Sequence, residues 1–331
     1  MSDTTQNSPS SADLAQIFEP IREDLEAVER EFVRHIQSRV ALIPEIGRYI
    51  QKSGGKRVRP AVTILAFLAF GGKKASDIVD IAAAMELIHT ATLLHDDIID
   101  GAETRRGKDS AFKKFGLKST LVAGDFLFIK AFEFAGKFDE RVVQWTADAC
   151  SLLTEGEMLQ GHFNRNRDVT LDDYIEIVKR KTASLFHTGG KVGAYLAGAD
   201  SNQIEATERY GLNMGIAFQV VDDILDIVGH VELLGKPTGM DLRDGNPSLP
   251  IILALQARES AVCEAFESEE PSEQQIAAAL QALRTGSAIE AAKIISKRYA
   301  EDALKSIKKF PPSLYRNGLK TLVQLIIDRD F

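Results

Sequence analysis

Apolar residues recur with the spacing of an α-helix along almost the whole sequence, and this pattern predicts an all-α fold. One stripe begins at Ile21 and ends at Ile36, with charged residues between its members. The segment from Ile78 to Thr92 is apolar nearly all round, as in a buried helix. Further helices are predicted at Leu121–Phe138, Val142–Leu159, Leu171–Leu185 and Tyr210–Val228. No alternating apolar and polar runs flank tight turns, so we expect no sheet.

The breaks between these helices are short, and none has the composition of a domain linker. The longest predicted surface loop is the polar segment Glu267–Gln275. With 331 residues, of which 44% are hydrophobic, the chain can bury one large core. We therefore predict a single domain over residues 13–331, preceded by a disordered tail at residues 1–12 that is rich in Ser, Thr and Asn.

Charge and cysteine content exclude several classes of function. A net charge of -8 argues against a nucleic-acid partner, which would require a basic surface. Two cysteines form neither a disulfide framework nor a zinc site. The first residues lack the basic and apolar regions of a secretory signal, and the apolar run Ala61–Phe70 is too short to cross a bilayer. These features predict a cytoplasmic protein without a transmembrane segment.

Two aspartate clusters carry the strongest indication of function. Both have the pattern DDxxD: Asp96, Asp97 and Asp100 form the first, and Asp222, Asp223 and Asp226 form the second. On a helix, the first and last aspartates of each cluster lie one turn apart, about 6 Å between neighbouring positions. Carboxylates this close repel one another and favour a bound cation. Mg²⁺ fits such sites, because it bridges carboxylates to substrate phosphates.

A single DDxxD is more often a solvated helix face than a metal site. Here both copies lie within strongly apolar sequence, with Leu93 and Leu94 before the first cluster and Val220 and Val221 around the second. A solvated face would not have these neighbours. The pair therefore favours two acidic walls that face one cavity and hold Mg²⁺ around a diphosphate.

Basic residues recur near both clusters. Ser53–Pro60 is a glycine turn that leads basic residues into a helix start, where anions are favoured. Arg105 and Arg106 follow the first cluster; they are either neutralising salt bridges or diphosphate ligands. The other candidates near the clusters are Lys181, Thr182, Gln219 and Lys236. Each alone is weak, but together they suggest a site for two diphosphates.

These motifs resemble a known family when they are taken in order. GGKRVRP, ELIHTATLLHDDIID followed by RRG, RKTASLF, FQVVDDILD and GKPTGMDLRDGNPSLP are similar to the motifs of trans-polyprenyl diphosphate synthases, in particular the long-chain octaprenyl and heptaprenyl types. The resemblance runs from about Ile17 to the end of the sequence. It implies a single-domain orthogonal helical bundle of the isoprenoid synthase type with a central active-site cavity.

The resemblance also implies residue roles. The metal ligands would be Asp96, Asp97, Asp100, Asp222, Asp223 and Asp226, which would hold about three Mg²⁺ ions. Isopentenyl diphosphate would be bound by Lys56, Arg59, His89 and Arg106. The allylic diphosphate would be bound by Arg105, Lys181, Thr182, Gln219 and Lys236. One departure is Asn246, where many relatives have Lys.

The implied reaction is a Mg²⁺-dependent head-to-tail condensation of isopentenyl diphosphate with an allylic prenyl diphosphate. Product length depends on the side chain that blocks the growing tail, and Ala91 lies five residues before Asp96, about 7.5 Å along the helix. Small residues at Ala91 and Thr92 predict a long product, with Phe128 and Phe132 as a possible floor. The resemblance to the long-chain types implies products of roughly six to ten isoprene units, about C30–C50, whose elongation would stop where a bulky side chain blocks the tail.

Several alternatives remain open at this stage. A short-chain geranylgeranyl or farnesyl diphosphate synthase shares the same motifs. A terpene cyclase would replace the second DDxxD, a regulatory subunit of a heteromeric synthase would lose the clusters, and a scaffold would not flank them with apolar residues. The resemblance further implies a homodimer, and peripheral membrane contact during product release is compatible with the sequence.

Overall fold

The computed structural model describes residues 11–73, 76–105, 107–229 and 238–328. Residues 1–10 of the predicted tail, together with Arg106 and Lys236, lie outside this part of the chain. The first helix begins at Ser11. Ser11 and Ala12, which were predicted to lie in the tail, are part of this helix, and the domain boundary at residue 13 stays a prediction.

The described residues form an all-α fold. The N-terminal helices are α1 (Ser11–Phe18), α2 (Arg22–His35), α3 (Leu42–Lys52), α4 (Val58–Ala69) and α5 (Ser76–Ile99). The middle helices are α6 (Ala111–Phe115), α7 (Leu117–Ala135), α8 (Glu140–Phe163), α9 (Leu171–Val178), α10 (Ser184–Leu196) and α11 (Ser201–Val228). The last are α12 (Met240–Asp244), α13 (Leu249–Gln256), α14 (Ser260–Glu267), α15 (Glu273–Thr285), α16 (Ala288–Ile307) and α17 (Leu314–Ile327).

Two sequence predictions of local structure need correction. A minimal antiparallel pair, β1 (Thr104–Arg105) with β2 (Lys108–Asp109), follows the first aspartate cluster, although no strand was expected. Its two residues per strand are too few for an alternating pattern to be visible. The predicted loop at Glu267–Gln275 is also shorter, since α14 ends at Glu267 and Ser272 caps α15 in a reciprocal capping box with Gln275.

The predicted helix Leu171–Leu185 is helical throughout, but it is not a regular α-helix. It consists of α9 and α10, joined by a π-helical turn at Lys179–Ala183. Such single turns of wider helix often mark functional positions, because the extra residue changes which side chains share a face. Here the turn contains Lys181 and Thr182, two of the predicted substrate ligands.

Helix α11 joins the two parts of the hydrophobic core. Tyr210 and Met214 contribute to a large cluster with α4, α5, α7 and α10. Ile216 and Val220 contribute to a second cluster with α9 and α13–α16. A helix with both faces apolar is buried all round. This shared helix supports the prediction of one domain over residues 13–331.

Helix α5 is the one described helix that is long and apolar enough to cross a membrane. Its most apolar 18-residue window is 72% buried inside the fold. Burial of this kind is typical of the central helix of a protein core, since its apolar surface is already covered by other helices.

Candidate active site

The first aspartate cluster lies at the C-terminal end of α5 and points in two directions. Asp96 lines the main cavity, and Asp100 follows one turn later at the exposed rim. Asp97 is fully buried, and its Oδ1 accepts a hydrogen bond from Nε of Arg105 at 2.6 Å. The second aspartate of this cluster thus holds Arg105 in place, whereas Asp96 and Asp100 share one face.

Burial governs the charge of these carboxyl groups. It raises the pKa of Asp96 to about 7, against the opposing effect of Lys181 and with further increases from Glu157 and Asp100. Burial also raises the pKa of Asp100 and of Asp97, opposed at Asp97 by Arg105. Carboxylates that ionise with difficulty gain most from a nearby cation.

The second cluster lies near the C-terminal end of α11, and only its first aspartate lines the cavity. Asp222 forms part of the cavity wall. Asp223 is 5% exposed and accepts hydrogen bonds from the Tyr174 hydroxyl at 2.7 Å, the Gln219 amide at 2.8 Å and the Leu249 backbone at 3.1 Å. Burial raises the pKa of Asp223 to about 6, and these donors oppose the increase.

Asp226 is turned towards the protein rather than the cavity. Its Oδ2 accepts a hydrogen bond from the Asp241 backbone N–H at 3.1 Å, and its carbonyl oxygen accepts one from Gly239 at 2.8 Å. Asp226 therefore ties α11 to the start of α12. Of the six predicted metal ligands, the structure brings Asp96 and Asp222 into the cavity lining; Asp100 is exposed and outside that lining, but its charge acts on Asp96 and Lys181.

Lys181 lies in the π-helical turn and lines the cavity together with Asp96 and Asp222. It forms a salt bridge with Glu157 of α8. Burial alone would lower the pKa of Lys181, but the charges of Asp96, Glu157 and Asp100 raise it. Gly156 allows this arrangement, because a Cβ there would lie 2.5 Å from the Lys181 backbone nitrogen. Lys181 thus stays a charged cation next to Glu157 and the first aspartate cluster, in a cavity that Asp222 also lines.

Arg59 and His89 form a second polar group on the cavity wall. Arg59 Nη1 lies 3.3 Å from His89 Nε2, and the guanidinium lies 4.8 Å from the ring centre of Phe186. An aromatic face and a histidine fix the fork geometry of an arginine for an anion. Lys56 is not among the lining residues of this cavity; it lines a small recess with Phe218 and Ile326 of α17, and Phe218 also lines the cavity.

Arg57, between Lys56 and Arg59, points away from the substrate site. Its backbone adopts a left-handed conformation with φ 49°. Its guanidinium forms salt bridges with Glu29 of α2 and, at 2.9 Å, with Glu86 of α5. These salt bridges hold the glycine-rich turn against α2 and α5. They therefore fix the backbone that carries Lys56 and Arg59.

The cavity between the clusters has a volume of about 410 Å³ and two kinds of wall. This size is in the range of small-ligand pockets. The polar wall comprises Arg59, His89, Asp96, Glu157, Lys181, Thr182, Gln219 and Asp222. The apolar part includes Leu93, Ile99, Phe128, Leu153, Leu185 and Phe218. A cavity with both kinds of lining can hold a diphosphate against its charged side chains and a hydrocarbon tail against its apolar ones.

The predicted chain-length residues occupy different environments. Thr92 and Phe128 line the cavity. Ala91 is fully buried in the main core cluster, and neither it nor the half-buried Phe132 is among the cavity-lining residues of the described chain. The structure thus brings Thr92 and Phe128 into the same cavity lining. Ala91 precedes Thr92 in the helix and is buried in the core instead.

The donor chemistry of the two walls fits a divalent hard cation. Within the described residues, no group of three acidic, histidine or cysteine side chains forms a closed coordination shell. Instead Asp96 and Asp100 on one wall and Asp222 on the other offer separate carboxylates. Mg²⁺ commonly uses one or two carboxylates, and water and substrate phosphates complete its octahedron. These three aspartates are therefore the residues that would hold it.

The sequence motifs alone did not identify several residues of the site. Glu157 forms a salt bridge with Lys181, but no DDxxD pattern surrounds it in the sequence. The adjacent Gly156 is the one sequence signal, because a glycine in a helix can indicate close packing against another helix. Tyr174 has the helical spacing of a core residue, and its bond to Asp223 depends on tertiary structure. His95 packs against Phe128 with 5.7 Å between ring centres.

Comparisons with known proteins agree on one family. Residues 40–283 match the family model described as polyprenyl synthetase. The octaprenyl diphosphate synthase of Escherichia coli K12 is 32% identical over 321 residues, covering 96% of this chain and 99% of that protein. Heptaprenyl diphosphate synthase component 2 of Geobacillus stearothermophilus is 34% identical over 319 residues, covering 96% and 99%.

A solved structure gives the same result. The polyprenyl synthase of Caulobacter crescentus CB15, complexed with calcium and isoprenyl diphosphate, is 34% identical and has a TM-score of 0.91. The similarity covers 96% of this chain and 98% of that one. With both aspartate clusters and the intervening cavity in place, the chain belongs to the polyprenyl synthetase family and is a trans-prenyltransferase.

Proposed function

We propose that this enzyme condenses isopentenyl diphosphate with an allylic prenyl diphosphate to form a long all-trans polyprenyl diphosphate. The observation that carries the proposal is the cavity, whose lining combines the carboxylates of Asp96 and Asp222 and the ammonium of Lys181 with apolar side chains such as Leu93, Phe128 and Leu153. The octaprenyl and heptaprenyl names of the relatives support a long product.

Asp96, Asp100 and Asp222 would hold Mg²⁺ against the allylic diphosphate. When bound, Mg²⁺ supplies Lewis-acid stabilisation of the departing diphosphate. Lys181 lines the same cavity beside Asp96, where it can neutralise the charge that develops as the allylic carbon–oxygen bond breaks. Arg105, oriented by the buried Asp97, is placed to contact the same diphosphate from the end of α5. The predicted number of about three ions stays a prediction.

The second substrate would bind on the side of Arg59 and His89. Arg59, held by its contact with His89, presents a cationic donor to the diphosphate of isopentenyl diphosphate, so the double bond of this substrate faces the allylic carbon. A new carbon–carbon bond forms as diphosphate leaves, and a proton is then lost. The departing diphosphate is the proposed proton acceptor. The apolar residues near Phe128 and Leu153 exclude water from the reacting carbon.

The test is incubation with farnesyl diphosphate, labelled isopentenyl diphosphate and Mg²⁺, followed by separation of products by chain length. The expected result is a Mg²⁺-dependent ladder that ends at roughly six to ten isoprene units, where packing stops the tail. Products that end at C15 or C20 would identify a short-chain synthase instead. No incorporation by the purified chain, with incorporation only after a second protein is added, would favour the subunit of a heteromeric synthase.

We also propose a homodimer that forms through α7. Leu121, Val122 and Ile129 are more than one-third exposed, and their spacing places them on one side of the helix. Isolated exposed apolar residues are ordinary, but an aligned row on one helix favours helix–helix association. Light scattering after gel filtration should give twice the mass of 36.4 kDa. The Val122→Asp variant should shift it to the monomer mass.

The cytoplasmic location and peripheral membrane contact during product release rest on the sequence. The burial of α5 supports a location outside the bilayer. Cell fractionation with a salt wash would test both: the protein should be found in the soluble fraction, with a minor salt-sensitive membrane portion.

A further inference from the structure

A buried hydrogen bond links α9 to the second aspartate cluster. The hydroxyl of Tyr174 donates to Oδ2 of Asp223 at 2.7 Å. Tyr174 is 2% exposed and Asp223 is 5% exposed, so this bond lies away from solvent. A charge-assisted bond in such a place is strong, and it is costly to leave unmade. Tyr174 therefore has a polar function in addition to its place in the core.

Asp223 is held by protein donors on both of its oxygens. Oδ2 also accepts from the Leu249 backbone N–H at 3.1 Å, and Oδ1 accepts from Nε2 of Gln219 at 2.8 Å. A carboxylate has about four acceptor positions, and three are used here. The adjacent Asp222 faces the cavity, whereas Asp223 is not part of its lining. These contacts describe a fixed anchor rather than a carboxylate that is available to a metal ion.

The network continues from Asp223 to the cavity wall. Since the amide nitrogen of Gln219 donates to Asp223, its oxygen is directed elsewhere, and it accepts a hydrogen bond from the Thr182 hydroxyl at 2.7 Å. Gln219 and Thr182 both line the cavity, and Thr182 follows Lys181 directly in the π-helical turn. One chain of bonds thus runs from Tyr174 through Asp223 and Gln219 to Thr182.

We propose that Tyr174 is a positioning residue for the allylic diphosphate and that Asp223 transmits this effect instead of binding metal. Tyr174 fixes Asp223, which fixes the amide of Gln219, which in turn orients Thr182 and the neighbouring Lys181. The proposal rests on the proposed function, because it assigns the allylic diphosphate to the Lys181 side of the cavity. The proposal gives the adjacent aspartates different roles: Asp222 binds the cation, and Asp223 forms hydrogen bonds that fix the positions of neighbouring side chains.

Tyr174→Phe removes only the hydroxyl and keeps the ring that packs in the core. We expect the Kd for an unreactive allylic thiodiphosphate, measured by calorimetry with saturating Mg²⁺, to rise roughly tenfold, since small misplacements of a binding group have effects of this size or larger. The KM for isopentenyl diphosphate should not change. Asp223→Asn should behave like Tyr174→Phe, whereas Asp222→Asn should raise the Mg²⁺ concentration needed for analogue binding.

A double-mutant cycle distinguishes positioning from general loss of stability. Thr182→Val removes the last hydroxyl of the network, and Thr182→Ser retains it. If Tyr174 acts through Thr182, Tyr174→Phe should have little further effect in the Thr182→Val background but its full effect with Thr182→Ser. A purely structural role would give additive changes. Thermal unfolding of each variant shows that binding is measured on folded protein.

Different results would overturn the positioning role of Tyr174 and the proposed prenyl-transfer function. Additive effects in the cycle would overturn the positioning role, and so would a Mg²⁺ requirement in Asp223→Asn that increases as much as in Asp222→Asn. Wild-type affinity in Tyr174→Phe, with normal polyprenyl products from the wild type, would overturn this inference alone. If the wild type binds no allylic analogue and makes no prenyl product, the proposed function itself fails.

Discussion

The contact between α8 and the π-helical turn can be tested by adding one methyl group to α8, in the variant Gly156→Ala. A Cβ on Gly156 would lie 2.5 Å from the Lys181 backbone nitrogen and 2.8 Å from Cβ of Arg180. Favourable separation for such atoms is about 3.5 Å or more, so Gly156→Ala must move the turn by about 1 Å. The atoms that must move belong to the backbone of Lys181, and the site would lose its geometry.

The expected effects on stability and activity differ in size. Overpacking costs roughly 1–3 kcal/mol. Replacing a helical glycine with alanine returns about 0.5–1 kcal/mol, so the free energy of unfolding should fall only modestly. A displacement of about 1 Å in a catalytic group, in contrast, lowers the rate by roughly a hundredfold. We therefore predict that kcat/KM falls far more than the melting temperature suggests.

The same helix provides the control. Gly161 is exposed, and no atom lies within 4 Å of a Cβ built there. Gly161→Ala should keep wild-type activity and melt at the same or a slightly higher temperature. Activity is measured as labelled isopentenyl diphosphate incorporated at saturating Mg²⁺, and unfolding is followed by circular dichroism. If Gly156→Ala retained wild-type kcat/KM, the claim that this contact positions Lys181 would be refuted.

Three further predictions concern the cavity walls. Asp222→Asn should abolish prenyl transfer and lower the affinity for Mn²⁺ in the presence of an allylic diphosphate analogue, measured by electron paramagnetic resonance; unchanged Mn²⁺ affinity would contradict its role as a ligand. Because burial raises the pKa of Asp96 from 3.8 to about 7, the folded protein binds this proton more tightly than the unfolded chain, and the carboxyl costs stability as the pH rises through that window. Asp96→Asn should accordingly raise the melting temperature of the metal-free protein at pH 8 but not at pH 4, while it abolishes activity; equal shifts at both pH values would exclude this cause. Thr92→Phe should shorten the products because Thr92 lines the cavity, whereas Ala91→Phe, in a fully buried position, should mainly lower the melting temperature; the opposite pattern in product analysis and thermal unfolding would restore Ala91 as the chain-length residue.

The helical fold could be predicted because it depends on local patterns that tertiary contacts reinforce. Apolar residues at helical spacing identified α5, α7, α8 and α11, with boundaries displaced by a few residues where capping decided the end. The π-helical turn at Lys179–Ala183 could not be predicted in the same way. Its apolar periodicity continues on both sides, and the wider turn is accommodated by Gly156 on a distant helix.

The six aspartates show where a motif stops being informative. A repeated DDxxD predicts that carboxylates gather, and the structure does place Asp96 and Asp222 on the cavity wall. The motif does not say which member faces inward, because helical rotation places the second aspartate about 100° from the first. Asp97 bonds to Arg105, which lies in strand β1 of the short hairpin, and Asp223 bonds to Tyr174, which lies 49 residues away in sequence.

This common geometry explains why the pattern contains adjacent aspartates in both helices. In each case the first aspartate reaches the cavity, and the second is buried and bonded to a group that supports the substrate site: Arg105 in one wall, and the Tyr174 network in the other. A lone aspartate on a mobile side chain could bind a cation but would not orient the neighbouring basic residues. An adjacent buried carboxylate fixes them, and its desolvation is offset by charge-assisted bonds. On this reasoning Arg105 should depend on Asp97 as Gln219 depends on Asp223, so Asp97→Asn should weaken allylic diphosphate binding more than it weakens metal binding.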